Sequence, residues 1–254
     1  MKPGDRRTRI VTLVAREGRL GVEALAQRFQ VSVETIRRDL AALAEEGAIL
    51  KVHGGVRARG GLHVEGSFQE RMAEEPEAKA TIAAKLVPEI AGGATIMIDT
   101  GSTTLAAAEA LAATPGLSVV TNSVLVADAF GRQAASSATQ VFLVGGDYAA
   151  GNRQTVGPDA IAQLDLYRAD HAILTVAGLS PETGAMDADV AEARIARAMI
   201  ARAGRVIVLA TASKFGRRAA CRVCGLDEID LLVTEAAPER AMAEALDAAG
   251  VVVK

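Results

Sequence analysis

Two sets of residues in this chain have the types and spacing to hold anions. The first is Thr35-Ile36-Arg37-Arg38, with Ser32 and Glu34 just before it. Guanidinium groups in the first turns of a helix can grip phosphates or read a guanine edge through paired N–H donors. The second set is a series of short polar turns: Asp99-Thr100-Gly101-Ser102-Thr103-Thr104, Thr121-Asn122-Ser123, Gly145-Gly146-Asp147 and Thr211-Ala212-Ser213-Lys214. Glycine lets backbone approach a ligand, hydroxyls donate hydrogen bonds, and a helix start offers N–H groups, a combination that favours a phosphate. Lys79 and Lys214 can add full charge. One such turn is ordinarily a helix cap; several on one sheet edge argue for a ligand pocket.

The first set needs a helix in a particular place. Ser32 is suited to N-cap it and Glu34 to sit at its positive end. Val33, Ile36, Leu40 and Leu43 recur at helical spacing, leaving Glu34, Thr35, Arg37, Arg38 and Asp39 on the other face, and Gly47 is placed to end the helix. Upstream, Arg6 to Glu17 carries Ile10, Leu13 and Val14 on one side. Val22 to Phe29 forms a shorter helix with Val22, Leu25, Ala26 and Phe29 inward, and Gln30-Val31 makes a tight turn. Helix, turn and recognition helix form a known major-groove reader. Ile49 to Val52 and Val56 to Ala58 flank His53-Gly54-Gly55, which reads as a β-hairpin wing. The expected DNA contacts are Ser32, Glu34, Thr35, Arg37, Arg38, Lys51, His53 and Gly54.

A basic pair alone is usually just a solvated helix face. Charge distribution separates the readings. Residues 1–59 carry 12 Lys/Arg against 7 Asp/Glu, a net of +5, while the remainder carries 16 against 24, a net of −8. The overall −3 hides a basic head on an acidic body, the pattern of a protein that binds a polyanion at one end. With 3% aromatic residues and no Trp, stacking on single-stranded bases does not explain the head, so the expected partner is double-stranded operator DNA.

The second set of residues needs a sheet. From Lys79 onward, apolar strands alternate with helices: Ala94 to Asp99, Leu117 to Thr121, Gln140 to Gly146, His171 to Gly178, Arg205 to Ala210 and Asp230 to Glu235 read as strands. That alternation predicts a mostly parallel sheet covered on both faces, with ligands outside the carboxyl ends of its strands. Arg57 to Ala78 has no clean period and is rich in glycine and charge. The expected organisation is a winged helix-turn-helix over 1–58, a linker over 59–78 closed by Pro76, and an α/β effector domain over 79–254.

Composition narrows the rest. Three His and two Cys do not suffice for a multi-ligand metal site, and Cys221-x-x-Cys224 lacks a second ligand pair, so both read as structural thiols. No apolar run reaches the ~18–20 residues that span a bilayer, and the basic N-terminus lacks a secretory apolar stretch, which predicts a cytoplasmic protein with no membrane partner.

These residues carry a resemblance. Leu25-Ala26, Phe29, Val31-Ser32, Thr35 to Leu40, Leu43, Gly47 and His53-Gly54-Gly55 are similar to the N-terminal signature of the DeoR-family repressors of sugar and polyol catabolism. Asp99-x-Gly101 to Thr104, Thr121-Asn122-Ser123, Gly145-Gly146 and Ser213-Lys214-Phe215-Gly216 extend it along nearly the whole chain. The resemblance implies a C-terminal domain that resembles ribose-5-phosphate isomerase and senses a phosphorylated sugar, polyol or related metabolite. On it, the effector contacts are expected at Lys79, Asp99, Gly101, Ser102, Thr103, Thr104, Thr121, Asn122, Gly145, Gly146, Ser213 and Lys214. It also implies a homo-oligomer, dimer or tetramer, and no cofactor. Thr211 departs from the family's usual Asp, while Glu192 and Arg194 follow its pattern, as an ion pair or as ligand contacts.

The competing reading is a phosphosugar isomerase with a DNA-binding appendage. Isomerisation needs a carboxylate base beside the substrate carbons. The isomerases carry acids after the strand matching His171 to Val176, whereas this chain reads Thr175-Val176-Ala177-Gly178-Leu179, with no carboxylate before Glu182. Binding without turnover is therefore expected. A third reading, a structural DNA-coating protein, leaves the polar strand ends without a purpose.

Overall fold

The computed structural model describes residues 3–17, 19–45, 48–52, 54–58 and 65–254. They divide between two compact units, Met1–Val64 and Glu65–Lys254.

In the first unit, α1 (Pro3–Glu17), β1 (Arg19–Gly21), α2 (Val22–Phe29), α3 (Val33–Glu45), β2 (Ile49–Val52) and β3 (Gly55–Ala58) follow in order. Ile10 and Val14 from α1, Leu25 and Ala26 from α2, and Ile36, Leu40 and Leu43 from α3 meet Ile49 and Val56 in one core. Gln30 adopts a left-handed φ of 52°, which closes α2 and turns the chain into α3. Ser32 caps α3 as expected, its Oγ accepting the Thr35 N–H at 3.1 Å.

The wing has one strand more than its sequence announced. β3 pairs with β2 in the register Ile49↔Ala58 to Val52↔Gly55, and its other side pairs with β1. A three-residue strand has too little periodicity to read from sequence. Its presence explains Gly55: a Cβ there would lie 2.3 Å from the Leu20 carbonyl oxygen. Asp39 also departs from expectation. It is buried rather than on the solvated face, accepting from Arg6 Nε at 2.5 Å and Arg7 Nε at 3.3 Å. Three residues beyond Ile36, it borders the apolar stripe, so its carboxylate meets α1 instead of water. Gly47 and His53 lie outside the described residues.

The second unit begins earlier than expected. Residues 65–78, assigned to the linker, include α4 (Phe68–Ala73) and the start of α5 (Pro76–Leu86). The cause is a capping box: Ser67 Oγ accepts the Glu70 N–H at 3.3 Å, and Glu70 Oε2 accepts the Ser67 N–H at 2.8 Å. Next come β4 (Thr95–Ile98), α6 (Ser102–Leu111), β5 (Ser118–Thr121), α7 (Val124–Gly131), α8 (Ala134–Ser137), β6 (Gln140–Leu143), β7 (Asp147–Ala149), β8 (Gln154–Val156) and α9 (Pro158–Leu164). The chain continues through β9 (Ala169–Thr175), β10 (Gly178–Ser180), β11 (Gly184–Asp187), α10 (Val190–Ile200), β12 (Ala203–Leu209), β13 (Cys221–Cys224), β14 (Leu231–Val233), α11 (Arg240–Ala248) and β15 (Val252–Val253).

Seven strands form one sheet in the order β15-β14-β12-β9-β4-β5-β6, every neighbouring pair parallel. Alternate residues face opposite sides. Ile96, Ile98, Val119, Ile173, Ile207 and Leu209 pack under Ile82 of α5, Leu111 of α6 and Phe130 of α7. Met97, Val120, Ala172, Leu174, Val206 and Val208 pack under Leu164 of α9, Met199 of α10 and Leu246 of α11. Full burial on both faces is why these strands read as unbroken apolar runs. A second, antiparallel sheet, β10-β11-β13, carries Cys221 and Cys224 as free thiols.

Candidate DNA interface and effector cavity

On α3, Glu34, Arg37 and Arg38 are exposed. Arg37 Nη1 stands 3.9 Å from Glu34 Oε2, and both side chains are about two-thirds exposed, 67% and 68%. Such a pair is worth little in water and leaves Arg37 available. Ser32 and Thr35 share a hydroxyl contact of 2.8 Å at the helix start. Lys51 is exposed on β2, and Gly54 turns the wing with φ 74°. The basic helix face and the wing therefore belong to one small unit with its own core.

The second unit has a small polar cavity where strand order reverses. From β4 the chain runs outward through β5 and β6, and from β9 it runs the other way through β12, β14 and β15. At the carboxyl ends of neighbouring β4 and β9, loops leave in opposite directions and open a crevice. The crevice is lined by Thr100, Gly101, Ser102, Thr103, Thr175 and Val176 from those ends. Glu65, Arg71, Asp187, Glu192 and Lys214 complete the wall.

Local chemistry holds this frame. Asp99, buried at the end of β4, accepts the Thr175 N–H at 3.1 Å and locks the two strand ends together. Burial pushes its carboxyl well above the usual carboxylate range. A Cβ on Gly101 would fall 2.2 Å from Thr175 Cγ2, so only glycine starts α6 here. Thr104 donates to the Gly101 carbonyl at 3.2 Å. Asn122 is spent on Gln154 Oε1 at 3.1 Å and the Thr155 carbonyl at 3.0 Å, and Thr121 Oγ1 accepts the Ser123 N–H at 3.0 Å.

The expected effector residues thus divide. Gly101, Ser102, Thr103 and Lys214 face the cavity, while Asp99, Thr104, Thr121 and Asn122 frame its surroundings. Gly145 is bonded to Gln163 Oε1 at 2.8 Å and Gly146 packs against Val156 and Ala160; neither lines the cavity. Lys79 is buried and donates to the Arg71 and Glu74 carbonyls at the end of α4. Burial lowers its pKa. Ser213 and Thr211 both donate to Glu75 Oε2 at 2.9 Å, so Thr211 serves a local bond to α5's start.

Three wall residues, Glu65, Arg71 and Asp187, escaped sequence reading, whereas Glu192 was expected as an ion-pair partner or a ligand contact. Glu65 and Arg71 lay in the stretch assigned to the linker, although Ser67-x-x-Glu70 was a signal for a helix there. Asp187 and Glu192 arrive by the β10–β11 fold-back, which brings carboxylates to the cavity despite the acid-free Thr175-to-Leu179 stretch. Burial, then the neighbouring Glu192, raises the Asp187 carboxyl to about 7. Burial also raises Glu192, opposed by bonds from Asn152 and from Gln154 Nε2 at 2.6 Å. The cavity therefore joins cations and a helix start to hydrogen-bonding carboxyls, groups that suit an anion bearing hydroxyls.

Residues 6–59 match the model of the DeoR-like helix-turn-helix domain, and residues 74–236 match that of the DeoR C terminal sensor domain. The chain belongs to the DeoR family. It is a DNA-binding transcriptional regulator. Within the family it is 33% identical to the glycerol-3-phosphate regulon repressor of Escherichia coli (strain K12), over 94% of this chain and 93% of that one. It is 31% identical to the HTH-type transcriptional regulator GlpR of Haloferax volcanii, over 100% of this chain and 98% of the relative. Among solved structures, ribose 5-phosphate isomerase A of Methanocaldococcus jannaschii matches with a TM-score of 0.40 at 15% identity, over 56% of this chain and about half, 55%, of that one. Family membership rests on the sequence matches. Among the described residues no helix is long and apolar enough to cross a membrane.

Proposed function

We propose that this DeoR-family protein represses a carbohydrate or polyol catabolic operon and that a phosphorylated sugar or polyol, bound in the cavity at the β4/β9 strand ends, changes its affinity for the operator. The observation that carries this reading is the cavity wall: Arg71 and Lys214 for the phosphate, the α6 start at Ser102 and Thr103 for its oxygens, and Asp187 and Glu192 for hydroxyls. The relatives named for glycerol 3-phosphate and related regulation support the same ligand class. Arg37, Arg38 and Thr35 meet the major groove or its phosphates, and Lys51 and the wing lie near the backbone, with Ser32 and Glu34 at the helix start. A dimer or tetramer in the cytoplasm would present several heads to repeated half-sites.

A thermal-shift screen of phosphorylated sugars and polyols, with each hit retested in an operator titration, examines the reading directly. Hits should raise the melting temperature and change operator affinity by about tenfold, a typical coupling of ~1–3 kcal/mol. Lys214→Ala should retain operator binding and lose the response. An unaltered response in Lys214→Ala would place the phosphate elsewhere. Operator binding indifferent to every ligand would favour a structural DNA-coating role.

A further inference from the structure

We infer that Arg71 and Lys214 form the anion-binding pair of this cavity, and that Glu65 occupies the pair as the chain's own carboxylate until a phosphomonoester displaces it. The inference rests on the effector reading above and adds its competitor. Each Glu65 oxygen takes one cation: Oε1 is 2.9 Å from Lys214 Nζ, and Oε2 is 3.0 Å from Arg71 Nη1. That two-point grip is the one a phosphate oxygen pair would receive. All three side chains are largely withdrawn from water, at 15%, 14% and 13% exposure for Glu65, Lys214 and Arg71.

Space argues for displacement. The cavity measures about 20 Å³, room for roughly one water, so a sugar phosphate cannot enter while every wall side chain stays put. Glu192 is anchored by Asn152 and Gln154, and Asp187 Oδ1 by the Asp189 N–H at 3.1 Å. Glu65 sits on the cations themselves, so its departure is an exchange of one anion for another. Arg71 stays oriented without it. Its guanidinium donates to the Gly66 carbonyl at 3.0 Å and to Asn152 Oδ1 at 3.1 Å, and lies 5.6 Å from the centre of the Phe68 ring.

The exchange also selects a ligand class. A phosphomonoester brings a charge of about −1.5 to −2 at neutral pH against the single charge of Glu65. An unphosphorylated sugar brings none and cannot compete for the pair.

Inorganic phosphate titrated calorimetrically into the full-length chain tests this. Glu65→Gln should bind phosphate at least about tenfold more tightly than the parent protein, and Lys214→Ala and Arg71→Ala should abolish binding. Because Glu65→Gln leaves two cations close together, its melting temperature without phosphate should fall, and phosphate should raise it more than it raises the parent's. Equal or weaker phosphate affinity in Glu65→Gln, or none at all, overturns the inference. If Lys214→Ala still abolishes binding to the parent protein in that case, the effector reading stands without the competitor. Phosphate binding unaffected by both Lys214→Ala and Arg71→Ala would remove the effector reading as well.

Discussion

At the scale of single residues, burial rather than residue type decides what each charge does. Arg37 and Arg38 are exposed on α3, so their loss should cost the fold little and the operator complex about 1–3 kcal/mol where one reads a base. Where they contact phosphates, the double variant should also flatten the salt dependence of binding. A filter-binding series at several salt concentrations checks both; unchanged affinity and slope would exclude these arginines from the interface. Asp39 lies one position further on and is buried between Arg6 and Arg7. Asp39→Ala removes the carboxylate that the buried Arg6 is paired with and should destabilise the first unit by about 3–5 kcal/mol. Asp187 presents the reverse case. Its carboxyl titrates near 7 in the folded chain against an ordinary 3.8, so folding takes up a proton between those values. Stability should therefore decline as pH rises from about 4 to about 7, level off above, and decline less in Asp187→Asn. Urea unfolding across that pH range measures the difference.

At the scale of elements, close backbone approaches set the positions where substitution fails. Gly55→Ala places a Cβ 2.3 Å from the Leu20 carbonyl, so β1 must separate from β3. The variant should lose operator affinity while the ligand-induced melting shift of the second unit persists. A ligand shift lost together with DNA binding would mean that the damage spreads beyond the wing. The sequence revealed the elements whose periodicity was long: α2 ran from Val22 to Phe29 as read, and the six expected strands all belong to the parallel sheet. It concealed the elements too short to show a period, such as β1 and α4. Tertiary context also chose between meanings of one turn. Gly101 and Gly145 looked alike as phosphate-loop glycines, yet the first borders the β4/β9 crevice and the second is tied to Gln163.

At the scale of the whole chain, the two units keep separate cores, one around Ile36 and Leu40, the other on both faces of the parallel sheet. Calorimetry of Asp39→Ala should therefore lower a transition assigned to the first unit and leave the ligand-sensitive one in place. The charge split that singled out the DNA-binding unit needed no structure, since opposite signs fall in different parts of the sequence. The cavity was only half legible, because Glu65, Arg71 and Asp187 come from segments that the fold, not the sequence order, brings together. The cysteines on β13 carry a last consequence. The Cys224 thiol is buried, and that burial pushes its pKa up to about 12. The thiolate is the reactive form in disulfide chemistry, so this sulfur is a poor partner at neutral pH. Mild oxidants should thus leave the pair unlinked while the strand is intact, and the regulator should keep answering to its metabolite through an oxidative burst.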